Sequence, residues 1–599
     1  MNRIQLLKYS CYAIWLASLP LPILAQVGVE SVHMSAPKKI TVFVAKKIVT
    51  MDPAIPSASA VAVADGKIIS VGSLAELKPW LDRYPHEINY QFSENILYPG
   101  FVEAHGHPLL GGITQTSLPL TAQPLPNPWG PAFPGVANLT AAITKLKEYS
   151  AAMSTPNKTL LSWGYDIAAM GEMPDRYMLD QVSSTRPILV WDSSEHNFFL
   201  NTAALEKYGI TANAVKNIIG IGLEKDGSLT GRFLGAAASQ YVNDVAGKDL
   251  LDPEKLPIAM LYSNDLAQQN GITSYSEMTF GILNIPLETA LFKKITESTA
   301  TSLRLFPVAH ADSFIQKYGA QAVIEVQRLT ALNSDRLLFK GVKFIGDDAY
   351  LANTMMVQNP SYTDWHKGLI FYSSADEYAK AMSPWWQAGF QIHVHSNGSA
   401  GIANTLSALQ LLQEEKPRFD HRFTLQHFGL PTSMMVKKVK ALGASVSVNP
   451  AYFYTRAGIQ AKDIGHDRVS YATRVGDLVR EGVVVSLHSD NPVAPPMPLT
   501  EVWAVVNRLS LYTGDQKWAP AQAISVQQAM RMVTIDAAYT LGQEDLIGSI
   551  EPGKFADFTV LEDDPMTVPP VLIKDIPVVA TILGGRIILV SDTKKPRPL

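Results

Sequence analysis

PGFVEAHGHP, residues 99–108, decides how the rest of the chain is read. An apolar run ends in two histidines, His105 and His107, one residue apart. On a β-strand, residues i and i+2 share a face, so both imidazoles can converge on one ion. Alone, the pair serves equally well as a structural feature. Its meaning rests on what the other strand ends offer.

Seven more short apolar runs follow, several closing on a polar cluster: GITSYSEM, SLRLFPVAH, LLFKGVKFIGDD, FQIHVHSNG, RFTLQHF, ASVSVNPAY and VVVSLHSDNP. Helix-like stretches such as ADEYAKAMSPWWQAG and PTSMMVKKVKALG separate most of them. Eight strand-then-helix units predict an α/β fold of the (β/α)8 TIM-barrel type, with its chemistry at the C-terminal strand ends. A long gap separates the first run from the second. Residues at about 110–265 are therefore expected to form an insertion over the barrel mouth. On either side of the barrel, taken as 99–534, the sequence alternates like β-strands. KITVFVAKKIVTM and ASAVAVADGKIISVG, with a hairpin turn at Asp65-Gly66, are matched by IGSIEPGKFADFTVLEDDP and VVATILGGRIILV. Residues 39–98 and 535–599 are expected to build one small composite β-sandwich.

The chain of 599 residues is 47% hydrophobic and 17% charged, with a net charge of −4 and no long run of one sign. This excludes a nucleic-acid groove or a polybasic membrane surface. Residues 1–25 differ. Arg3 and Lys8 precede the apolar YAIWLASLPLPILA, and Ala25 suits a cleavage point. The expectation is a secretory signal peptide and a home in the bacterial periplasm or outside the cell. A retained membrane anchor is opposed by the short run, broken at Pro20 and Pro22, and nothing later is long and apolar enough for a stable span. The one cysteine, Cys11, falls in this segment, so thiolate ligands and a Cys nucleophile are excluded from the mature chain.

In a closed barrel the strand ends ring one pocket. Lys343 closes the fourth run, His395 the fifth, His427 the sixth and Asp490 the eighth. Imidazoles with a carboxylate suit Zn²⁺ or a similar divalent metal. A lysine joins such a site only as a carbamate, made with CO₂, which bridges two ions. His393 shares a strand face with His395 and is its alternative. His488 is read as structural, and His310, closing the third run, could face the pocket but carries no motif.

At this point the chain resembles the amidohydrolase superfamily, in the amidohydrolase-3 branch that includes N-substituted formamide deformylases. The likeness rests on PGFVEAHGHP, SEHNFFLNTAAL, VKFIGDDA, HVHSNGSA, LQHF, SDNPV and IGSIEPGKFADFTVLEDDP, in that order. It implies His105, His107 and Asp490 on the more buried ion, and carbamylated Lys343 bridging to a second ion on His395 and His427. One ion with a plain Lys343 is the competing arrangement. Three positions depart from the family's usual pattern: Glu103 and Ser399 each replace an Asp, and Asp348 replaces a Gly.

The expected activity is hydrolysis of an amide, formamide or N-acyl bond of a small molecule. Asp490 takes a proton from the attacking water and passes it to the leaving amine. His196, in the insertion, adds a hydrogen bond to the carbonyl oxygen. Trp163, Tyr165, Tyr452 and Tyr454 are candidate substrate contacts, whereas Trp385 and Trp386 are assigned to packing. A deaminase of an amino-heterocycle, or a secreted binding protein on the same barrel, are the alternatives.

Overall fold

The computed structural model describes residues 39–155, 157–511 and 517–595. The expected signal segment, residues 1–25, lies outside them. Eight strands form one parallel sheet in chain order: Phe101–Gly106, Ile272–Phe280, Arg304–His310, Val342–Ile345, Ile392–Ser396, Thr424–His427, Ser445–Val448 and Val485–Leu487. Each falls in one of the eight apolar runs, except that the second continues past GITSYSEM to Phe280. Parallel strands covered on both faces read as continuous apolar runs, and Arg304–His310 is buried at every position.

No strand ladder joins the eighth strand to the first. The ring is closed just beyond the strand ends, where Asp490 N donates to His105 O at 3.0 Å and His107 N to Asn491 O at 2.9 Å. Glu103 reinforces the seam by accepting from Ser489 N and Ser489 Oγ, both at 3.0 Å. The residues that carry the histidine pair and the aspartate are thus the ones that close the barrel.

Between the first and second barrel strands, six strands form a separate sheet that includes Leu160–Tyr165, Ile188–Asp192 and Asn197–Leu200. Its faces pack separate cores: Trp163, Trp191 and Phe198 on one side, and Leu160, Tyr165 and Phe199 on the other. The chain ends meet in a third sheet of seven strands. There His86–Pro99 pairs with Ile40–Val49 on one edge and with Phe558–Leu561 on the other. One continuous sheet therefore holds both ends, and Val61, Val63 and Ile68 of its one wing share a core with Phe558, Ala580 and Ile582 of the other. Helix Ile535–Thr540, assigned by sequence to this terminal unit, packs Ala537 and Ala538 against Val102, Met278 and Val308 of the barrel. No helix among the described residues is long and apolar enough to cross a membrane.

Candidate metal centre

The C-terminal strand ends surround a cavity of about 240 Å³. His105, His107, Lys343, His395, His427 and Asp490 line its barrel side, and His196 reaches it from the insertion. Asp490 Oδ1 lies 3.2 Å from Nε2 of His105 and 3.2 Å from Nε2 of His107. Its other oxygen, Oδ2, lies 3.7 Å from His427 Nδ1. Two ligand-bearing residues hold left-handed backbone, His427 at φ 72 and Asp490 at φ 59. Such conformations cost free energy in non-glycine residues and cluster at functional sites.

The tautomers can be read from the outer partners. His105 Nδ1 is 2.7 Å from Gln426 Oε1, and His107 Nδ1 is 3.0 Å from Glu277 Oε1. Each Nδ1–H donates to an oxygen acceptor, so each Nε2 turns a lone pair toward Asp490. With both rings neutral, two lone pairs and a carboxylate oxygen then face one another. That arrangement calls for a cation. The separations fit one, because ligands at about 2.05 Å on a tetrahedral ion sit about 3.3 Å apart. The ligand atoms of His105, His107 and Asp490 all lie within 4.8 Å of one another.

Electrostatics agree. Burial, then the charge of Lys343, pushes His105 well below the ordinary imidazole range. Burial and Lys343 also push His395 down to about 3, and burial and His395 push His427 well below its usual value. These rings are neutral, the form that ligates. His107 differs: burial opposes its protonation, but Asp490 and Glu277 lift it to about 10. Without an ion, a proton on His107 is how the trio is reconciled. Burial also works against ionisation of Asp490, yet His105 and His427 hold it well below the carboxylate range.

Lys343 is buried in the cavity wall, and burial pushes its amine down to about 7. The rings of His395 and His427 stand 4.4 Å apart. His395 is fixed from behind by Asn397, whose Nδ2 is 2.9 Å from its Nε2. His393 is turned away and takes Gln426 Nε2 at 2.9 Å on its Nδ1. His488, read as structural, stands inside the cluster with Nε2 3.2 Å from His427 Nδ1, and forms a second candidate trio with His105 and His427. His196 pairs through Nδ1 with Asp348. Burial opposes its charge, but Asp348 raises it to about 9.

The aromatic candidates are not brought to the cavity. Trp163 and Tyr165 are buried in the insertion's two cores, and Tyr165 Oη donates to Glu172 O at 2.7 Å. Tyr454 packs edge-on against Trp503 at 6.5 Å. Tyr452 stacks on Tyr350 at 4.1 Å and lies one layer behind His427. Sequence reasoning missed Glu277 and Gln426, which orient the ligands. The signal for Glu277 was present, since GITSYSEM places it at a strand's C-terminal end. It also missed Glu195, which lines the cavity with backbone at φ 65 and is pushed up to about 8 by burial.

Comparison with known proteins gives a consistent picture. The model of the family described as "Amidohydrolase family" matches residues 93–589. The N-substituted formamide deformylase of Arthrobacter pascens is 24% identical over 546 residues, covering 90% of this chain and 96% of that protein. Putative amidohydrolase YtcJ of Bacillus subtilis (strain 168) is 22% identical over 547 residues, 88% of this chain and 95% of its own length. An uncharacterized metal-dependent hydrolase from Pyrococcus horikoshii OT3 shares the fold, with a TM-score of 0.67 at 19% identity, covering 89% of this chain and 99% of that one.

Proposed function

The chain belongs to the amidohydrolase family of metal-dependent hydrolases acting on non-peptide carbon–nitrogen bonds, and from that premise we propose that it cleaves the amide or formamide bond of a small N-substituted molecule. One observation carries the reading: Nε2 of His105 and Nε2 of His107 each lie 3.2 Å from Asp490 Oδ1, the spacing of three ligands around one cation. Bound there, a divalent ion such as Zn²⁺ would lower the pKa of water to about 7 and polarise a carbonyl. Asp490 is the one carboxylate among these ligands, so it accepts the proton of the attacking water. It then returns that proton to the leaving nitrogen, which must be protonated to depart. His196, charged through its bond to Asp348, keeps Nε2–H to donate to the carbonyl oxygen as negative charge builds there.

His395 and His427, with Lys343 in the same wall, are the residues for a second ion. A carbamate on Lys343 would complete that set. A metal-to-protein ratio of two, with a carbamate carbon signal after ¹³CO₂ labelling, supports the binuclear arrangement. A ratio of one without the signal leaves a single ion. Residues 1–25 we read as an export signal, tested by N-terminal sequencing of the mature protein.

The central test is turnover. Hydrolysis of N-substituted formamides should vanish with a chelator and return with Zn²⁺. Asp490→Asn should lower kcat by about 10²–10⁴-fold. Turnover that survives complete metal removal would end this reading.

A further inference from the structure

The catalytic cavity has two unlike walls. The barrel wall carries the histidines, Lys343 and Asp490; the insertion wall carries Trp191, Glu195, Asn243 and Asp244. On the insertion wall two acceptors, Glu195 Oε1 and Asn243 Oδ1, are sealed from solvent and have no hydrogen-bond partner among the described residues. Buried acceptors normally have partners, and leaving one unmade costs free energy. Two on one wall of one cavity indicate that the missing donors arrive with the ligand.

The protein fixes these groups in place. Glu195 is held at φ 65, a left-handed backbone strained for glutamate. Its carbonyl oxygen accepts from Trp191 Nε1 at 3.0 Å and from Ser239 Oγ at 3.4 Å. The main chain is bonded while the carboxyl oxygen is left without a donor. Asn243 and Asp244 lie on helix Ala236–Leu250 with Gln240 and Gly247, at the three- and four-residue spacing that puts them on one face. Gln240 Nε2 donates to Asp244 Oδ1 at 2.8 Å and holds that carboxyl at the cavity edge.

The chemistry of the wall is one-sided. The cavity's lining contains no arginine, and its one lysine, Lys343, stands on the barrel side. Two carboxyls, an amide oxygen and an indole therefore face the space; the cations nearest Glu195, His107 and His196, are each already paired, with Asp490 and with Asp348. Indole faces and carboxylates both favour ammonium groups. Leu110, Ile113, Ile282 and Leu283 line the space as well and suit an apolar spacer.

We propose that Glu195, Asn243 and Asp244 receive an ammonium group at the end of the substrate's N-substituent, so that the preferred substrates are amides carrying a cationic amine beyond an apolar spacer. This rests on the amide-hydrolase reading above.

The test compares N-formyl-1,5-diaminopentane with N-hexylformamide, which has nearly the same length and no charge. The metal-loaded enzyme should favour the cationic formamide in kcat/KM by at least about tenfold. Glu195→Gln should cut that preference ratio by about tenfold, and the exposed Asp244→Asn by a smaller factor. Equal kcat/KM for the two substrates, or a ratio unchanged in both variants, overturns the proposal. Calorimetry with 1,5-diaminopentane and hexylamine separates it from the reading it rests on. If neither formamide is hydrolysed but the diamine still binds about tenfold tighter through Glu195 and Asp244, amide hydrolysis fails and the ammonium site stands. If the two amines bind alike, the ammonium site fails.

Discussion

Glu277 touches no reacting atom, yet it sets the lone pair of His107 through the 3.0 Å contact between Oε1 and Nδ1. Outer partners of this kind fix the tautomer and raise ligand basicity. Glu277→Ala should therefore weaken metal binding by about 10–100-fold while the chain stays folded. Competition with a graded series of chelators measures it, and an unchanged affinity would show that His107 needs no such partner. The residue scale also shows what a sequence can reveal. His105 and His107 were legible because strand geometry relates them directly. Gln426 was not, since it joins His105 to His393 across three strands, and no periodicity along one strand records that bond. Glu103 shows the same gap: its place beside the histidines was visible, but its hold on Ser489 exists only once the ring closes.

Elements explain why the aromatic candidates went elsewhere. Trp163 and Tyr165 are two apart on one strand and should share a face. Gly164 at φ 90 shifts the register between them, so they enter different cores. Just after this strand, Asp166 caps the short helix Ile167–Met170 and takes Arg456, which follows the seventh barrel strand. This buried pair ties the insertion to the barrel. Burial alone would raise the Asp166 carboxyl, but Arg456 and the amides of Ala169 and Ala168 hold it below its ordinary 3.8. The folded value is thus depressed, so the stabilisation is fully present above pH 3.8 and is lost as pH falls through the folded value. Protease cleavage within residues 110–265 should increase over that acid range in the wild type. Asp166→Asn should show the increase already at neutral pH and respond less to acid. Identical pH profiles for the two proteins would mean that the pair does not hold the insertion in place.

For the molecule as a whole, the question is whether the terminal sheet is an appendage or part of the barrel's cooperative unit. The chain runs from strand His86–Pro99 of that sheet straight into barrel strand Phe101–Gly106. Ile96 and Tyr98 already belong to the barrel's core. The tail IGSIEPGKFADFTVLEDDP reads from sequence as a closing signature, and the structure gives its physical content in Asp557. Its Oδ2 accepts Arg304 Nε at 2.6 Å, its Oδ1 accepts Arg304 Nη2 at 2.9 Å and Gly584 N at 2.8 Å, and its carbonyl accepts Gly100 N at 2.9 Å. Arg304 opens the third barrel strand, so one carboxylate joins the terminal sheet to the barrel. Removing one partner of such a buried pair strands the other charge, which costs about 3–5 kcal/mol. Asp557→Ala should therefore lower the melting temperature of the entire chain in one transition, with metal release and loss of near-ultraviolet signal at the same temperature. If the terminal sheet melts early while the metal stays bound at the wild-type temperature, the two are separate units, and the chain ends serve the barrel only as a cover.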